Sequence, residues 1–262
     1  MFGKRNPPAP AASSPAQGQN PGDARDIAEK FPWSGDGDCE IACNLAAGNI
    51  ANNLPRRLTR DGRIHAETYV AAAGAIAGFA AQCSLLATAD AATLAGLHTV
   101  VTKDGSRFLF GDPLNDTLLA RTDSEARGRV WPVAASAAVA AGLAKGSALD
   151  LEPMFAHVAA TIGSDREGLP SVPVEHHPHL AGRDLLKIVW PMAAQFLAGD
   201  FDEFHRRFGP VPRQWWGAVA AFGAGRPILD VKDVLAPELA LTILMETAIY
   251  TSKLDRTSIE QG

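Results

Sequence analysis

Most of the short patterns that announce a chemistry are missing from this sequence. There is no Gly-x-x-x-x-Gly-Lys-[Ser/Thr], no Gly-x-Gly-x-x-Gly after a strand, no Gly-x-Ser-x-Gly and no His-Glu-x-x-His. Phosphate-cradling loops, dinucleotide folds, serine hydrolases and zinc proteases therefore lose their support, and no cofactor is expected. Basic charge is scarce too: 24 Lys and Arg against 29 Asp and Glu give a net charge of −5. A phosphate backbone needs a clustered basic surface, so nucleic acid is not an expected partner. Cysteine is limited to Cys39, Cys43 and Cys83, an odd number, with the first two spaced four apart on a predicted helix. That is neither a disulfide framework nor a zinc-knuckle spacing, and all three read as small buried thiols. The opening stretch "MFGKRNPPAPAASSPAQGQNPGD" has Lys4 and Arg5 but no apolar run of signal-peptide length. A cytoplasmic setting is the expectation.

What is present is a large apolar content, 47% of the 262 residues, ample for a core. Residues 1–25, rich in Pro, Ala, Ser and Gln, are expected to form a disordered tail. Residues 26–262 are expected to form one helix-rich globular domain. Its centre should be the Ala- and Gly-rich helix of about Ile64 to Ala87, in which His65, Tyr69, Ala72, Ile76, Phe79 and Cys83 recur at spacings of four and three. Gly74-x-x-x-Gly78 marks a second face on which another backbone can approach closely. The helix is long enough to span a bilayer, but alanine contributes little to insertion and no aromatic or basic anchors flank both ends. A buried core helix is predicted and no membrane span.

Only one stretch signals β-structure. "LHTVVTKDGSRFLFG" places Val100, Val101, Phe108 and Phe110 on either side of Lys103-Asp104-Gly105-Ser106, a hairpin. Other helices are predicted from Cys39 to Asn53, with Ile41, Leu45 and Ile50 as core marks and Pro55 as the stop. Further ones follow from Asp112, from Ser124 to Ala144 with a kink at Pro132, and from Asp150. Asp184 is read as a cap, and the last helices start at Arg213 and at Pro237. The fold class is thus α+β, predominantly α-helical, with a single hairpin.

Four groups of residues carry candidate chemistry. His65-Ala66-Glu67 is similar to the His-x-Glu of zinc-dependent nucleobase deaminases, in which His binds metal and Glu shuttles the proton. The Pro-Cys-x-x-Cys that completes that signature is absent, so a helix N-terminus that begins with polar residues is the favoured reading. "VEHHPHL" gathers Glu175, His176, His177 and His179 in five residues. His177 and His179 project to one side of an extended chain, an alternative metal pair against the reading of a solvated loop. Glu246 falls on the apolar stripe Leu239, Ile243, Tyr250, so a carboxylate enters the core. It is read either as a pocket acid or base, with His65 beside it in an internal helical pocket, or as a structural pair with Arg213, Arg226 or His65, the latter being favoured. Arg213, Trp215 and Trp216 are weak ligand-binding candidates, with core anchoring favoured.

The segments "IHAETYVAAAGAIAGFAAQ", "FGDPLND" and "LTILMETAIYTSKLD" together resemble the pattern of an uncharacterised bacterial protein family without an assigned activity. The resemblance implies no catalytic residues. Two readings follow from the residues themselves. The preferred one is an interaction or assembly protein with a protein partner or self-association. The alternative is an enzyme or small-molecule binder using His65, Glu67 and Glu246, so enzyme status is open.

Overall fold

The computed structural model describes residues 31–37, 39–120, 128–144 and 150–260. The expected tail, and the start of the helix predicted at Ser124, lie outside these residues. Among those described, the chain forms α1 (Glu40–Leu58), α2 (Ala66–Thr88), α3 (Ala91–Ala95), β1 (His98–Val101), β2 (Arg107–Phe110), α4 (Asp112–Leu118) and α5 (Val130–Ala140). It continues with α6 (Leu151–Thr161), α7 (Gly182–Leu197), α8 (Glu203–Arg206), α9 (Trp216–Asp230), α10 (Pro237–Thr251) and α11 (Thr257–Glu260). Short 3₁₀ turns occur at Val174–His176 and Arg213–Trp215. The protein is predominantly helical α+β with one antiparallel hairpin, β1 against β2, in which Val100 faces Phe108.

α2 is the axis of the fold. Every residue from Glu67 to Cys83 is buried, because helices pack on more than one of its sides. The two glycines make the closest of these contacts possible. A Cβ on Gly74 would lie 2.3 Å from the Leu244 carbonyl oxygen, and one on Gly78 would lie 2.0 Å from that of Ala248. Equal steps of four along both chains mean that α2 and α10 run parallel at near-backbone contact, and Thr251 Oγ1 donates to the Ala75 carbonyl across the seam at 3.0 Å. α9 lies antiparallel on another side: Gly217 backs onto Ala81, and at the other end Tyr69 donates to Asp230 at 3.0 Å. Among the described residues α2 is the one helix long and apolar enough to cross a membrane, and 78% of its most apolar window is covered by the rest of the fold.

The hairpin leans on the end of α10. Leu109 N–H donates to the Lys253 carbonyl, and Phe108 forms an isolated bridge with Leu254, so one edge of β2 is occupied. The three cysteines are buried.

Several sequence expectations shift. Pro55 does not stop α1; it sits inside the helix, which loses one backbone hydrogen bond and continues to Leu58. Ile41 is 52% exposed, and α1 instead turns Ala42, Cys43, Ala46, Ile50 and Leu54 inward. Pro132 makes no kink, because it lies in the first turn of α5, where a missing N–H breaks no helical bond. Asp112 and Asp184 are residues of their helices rather than N-caps, those being Gly111 and Ala181.

Candidate functional site

The first turn of α2 and the loop between α6 and α7 meet to form a cluster of imidazoles about one carboxylate. His65 is the N-cap of α2: its Nδ1 accepts the Thr68 N–H at 3.3 Å and lies 2.9 Å from Thr68 Oγ1. An accepting Nδ1 leaves the ring proton on Nε2, which points at Glu67 Oε2 at 3.3 Å. The loop arrives from the other side. His176 Nδ1 lies 2.9 Å from Glu67 Oε1, the His179 ring stacks on His65 with centroids 3.7 Å apart, and His179 N–H donates to Thr68 Oγ1 at 2.9 Å.

Charge is distributed unevenly within this group. Burial acts against the Glu67 anion, but the hydrogen bond from His176 and the neighbouring imidazoles outweigh it and hold the carboxyl below its ordinary value. An ionised carboxylate only accepts, so the His176 proton must be on Nδ1. In the neutral form of His176, Nε2 carries the lone pair, and among the described residues it has no partner. Burial lowers the His65 pKa, against the pull of Glu67, and the adjacent His179 lowers it further. His65 therefore favours the neutral form, which is the form able to cap the helix. The side chain of Glu67 is 12% exposed, while those of His65 and His176 are each 32% exposed. The carboxylate is thus enclosed and His176 faces solvent.

The structure brings His65, Glu67 and His179 together with His176, a member of the VEHHPHL group outside its candidate metal pair, and adds a pairing of His176 with Glu67. No local signal could have found it, since its partner lies 109 residues earlier in the chain. His177 separates from His179 and turns back to the Val172 carbonyl at 3.0 Å. The His179 ring is stacked on His65 instead, and no group of three or more metal-binding side chains is arranged to hold an ion among the described residues.

Glu246 and His65 do not meet. With Gly74 opposite Leu244, Glu246 stands level with Ile76, some 16 Å along the helix pair from His65 at ~1.5 Å per residue. Its carboxylate, 2% exposed, accepts from Ser171 N–H and Ser171 Oγ–H, each at 2.5 Å, with His157 Nε2 at 3.9 Å. Burial raises the carboxyl pKa, and the Ser171 bonds, His157 and Arg166 only partly oppose it. The partners predicted from sequence, Arg213, Arg226 and His65, are all engaged elsewhere. The crevice over Glu246, lined by Val158, Thr161, Leu169 and Tyr250, encloses about 180 Å³ counting its open mouth, yet is too tight for a water-sized body. Through its two bonds to Ser171, Glu246 ties the loop that carries His176 to α10.

The tryptophans serve the core. Trp216 is buried against Trp190 and donates to the Val211 carbonyl, with the Arg213 guanidinium 4.3 Å above its ring, and Trp215 donates to Asp36 at 3.2 Å.

The cluster and the helical α+β fold define the class no further than a helix-rich protein with a carboxylate–imidazole pair at one end of its central helix. No family model, curated protein or solved structure matches the chain, so no activity is assigned from likeness.

Proposed function

We propose that the protein is an acid–base enzyme in which His176 is the general base and Glu67 its orienting carboxylate. The reading rests on one observation: Glu67 Oε1 engages His176 Nδ1 at 2.9 Å, while Nε2 is left unpartnered on a side chain that reaches solvent. A carboxylate on Nδ1 fixes the tautomer and stabilises the imidazolium that forms when Nε2 takes a proton from water or a substrate hydroxyl. Hydrolysis of a small activated carbonyl compound is the simplest reaction such a pair supports.

The test is hydrolysis of p-nitrophenyl acetate by wild type, His176→Asn and, as a control for background imidazole reactivity, His177→Asn. Replacing His176 should lower the rate about 10²-fold or more with the fold intact by circular dichroism, and His177→Asn should not. Glu67→Gln should also lower the rate, because a neutral amide holds the Nδ1–H and stabilises the forming imidazolium less well than the carboxylate does. Equal rates for wild type and His176→Asn would sink the reading.

A second reading, an assembly protein, is favoured by the outer edge of β1. All four of its residues are exposed, including Val101 at 60%, whereas the outer edge of β2 is taken by residues 253–255. An open strand edge is a template for a second copy of the chain. Light scattering should then give a dimer for wild type and a monomer for Val101→Pro; a monomeric wild type would remove this reading.

A further inference from the structure

At the far end of the helix pair, about 27 Å from His65 along α2 at ~1.5 Å per residue, lies a buried amine that the proposed reaction does not use. Lys253 follows the C-terminus of α10 and is 3% exposed. Its backbone is fixed on both sides: its N–H donates to the Tyr250 carbonyl, and its own carbonyl accepts the Leu109 N–H of β2. The side chain ends between two aromatic faces, with Nζ 5.0 Å from the centre of Phe110 and 6.0 Å from that of Phe155. The hydrogen bond recorded for Nζ goes to Asn115 Oδ1 at 3.1 Å, and no carboxylate lies within ion-pair distance among the described residues. A buried ammonium normally has a counter-ion and fills its three donor sites. Among the described residues this site supplies two π-faces and an amide oxygen, enough to position an amine but not to balance a full charge. Burial accordingly lowers the lysine pKa from 10.5 to about 8. Phe110, Phe155 and Asn115 are themselves only partly buried, so the amine lies directly beneath the surface they form.

We infer that Lys253 is a nucleophilic amine that forms an imine with a small planar aldehyde admitted between Phe110 and Phe155. The Nζ lone pair attacks the carbonyl carbon, the carbinolamine forms, and the carbonyl oxygen leaves as water with the two protons of the amine, giving a C=N bond. The aromatic faces suit a flat, unsaturated carbonyl compound. Asn115 is placed to hold the amine and to accept a proton-bearing group of the carbinolamine through its Oδ1. A desolvated lysine beside apolar groups is the arrangement that makes this residue type reactive near neutral pH.

The experiment is trapping on the full-length protein: benzaldehyde with cyanoborohydride at pH 7, then peptide mass spectrometry. Hydride delivered to the C=N bond leaves a stable benzylamine at each lysine that formed the imine. Lys103, Lys187 and Lys232 are exposed and serve as internal standards. A pKa near 8 against 10.5 gives on the order of 10²-fold more free amine at pH 7. Lys253 should be modified at least about tenfold faster than the standards, the lower basicity of the amine offsetting part of that ratio. Asn115→Ala should slow trapping at Lys253 alone. Labelling of the three exposed lysines with Lys253 unmodified, or modified no faster than they are, would overturn the inference.

Discussion

Gly78→Val should abolish folding, or leave a chain with no cooperative thermal transition. The helices α2 and α10 meet here through their backbones, not through side chains. An added Cβ would lie 2.0 Å from the Ala248 carbonyl oxygen, 2.6 Å from Thr251 Oγ1 and 2.7 Å from the Ala248 carbonyl carbon. Two of these atoms are main chain in the buried last turn of α10 and cannot rotate away. The helices would have to separate, opening the packing of Ile76, Phe79 and Ile249 and breaking the bond from Thr251 to Ala75. Overpacking a core ordinarily costs about 1–3 kcal/mol when side chains can give; with backbone as the obstacle the loss should exceed ~4 kcal/mol, a large part of the ~5–15 kcal/mol by which domains are stable. Gly48→Ala is the contrast. It lies on an exposed face of α1 with nothing within 4 Å of the added Cβ. Removing a glycine from a helix interior there should stabilise by about 0.5–1 kcal/mol. Circular dichroism melts of both variants decide the matter; a folded Gly78→Val with a melting temperature near wild type would show that the two helices do not meet in this way.

Glu246→Ala should destabilise by about 3 kcal/mol and take the proposed activity with it. The carboxylate is 2% exposed and accepts both the backbone and the side-chain donor of Ser171. Truncation removes two hydrogen bonds, each contributing about 0.5–1.5 kcal/mol, and leaves an empty space where the buried carboxylate was packed. For a domain of this size, 1 kcal/mol moves the melting temperature by roughly 2–4 °C, so a drop of about 6–12 °C is expected. Glu246→Gln should cost much less, since its amide oxygen can still accept from Ser171 and burial already disfavours the charged form of the carboxyl. Because Ser171 lies five residues before His176 in the same loop, Glu246→Ala should also loosen the contact between His176 and Glu67. The loss should be partly recovered in Glu246→Gln. A Glu246→Ala protein within 0.5 kcal/mol of wild type, a margin usual for surface substitutions, would mean that the loop is held by other means, such as Glu167 bonded to Arg183 and Tyr250.

Much of the architecture was written locally. The 4-3-4-3-4 spacing from His65 to Cys83 and the Gly74-x-x-x-Gly78 stripe specify a helix that can be buried on every side, and that is the position α2 takes. The hairpin was legible because β-branched and aromatic residues flank an Asp-Gly turn. Boundaries were less so: Pro55 and Pro132 read as breaks, yet a proline near a helix end costs at most one hydrogen bond, which packing of the neighbouring turns offsets.

The site divides in the same way. His65 and Glu67 were visible because they are two residues apart at a helix start, where a polar cap is required by the open N–H groups. Glu246 stood out as a carboxylate on an apolar stripe, but its partner was not legible. Ser171 lies in an irregular loop with no periodicity, and the choice of Ser171 over Arg213, Arg226 or His65 depends on how far along α2 the last helix docks. The pairing of His176 with Glu67, and the aromatic surroundings of Lys253, belong to the same category. By itself the sequence determined which segments are helical, which helix is central and which residues are able to titrate. Only the tertiary structure decided which of them share an environment, because a carboxylate's or an amine's chemistry depends on neighbours that come from distant parts of the chain.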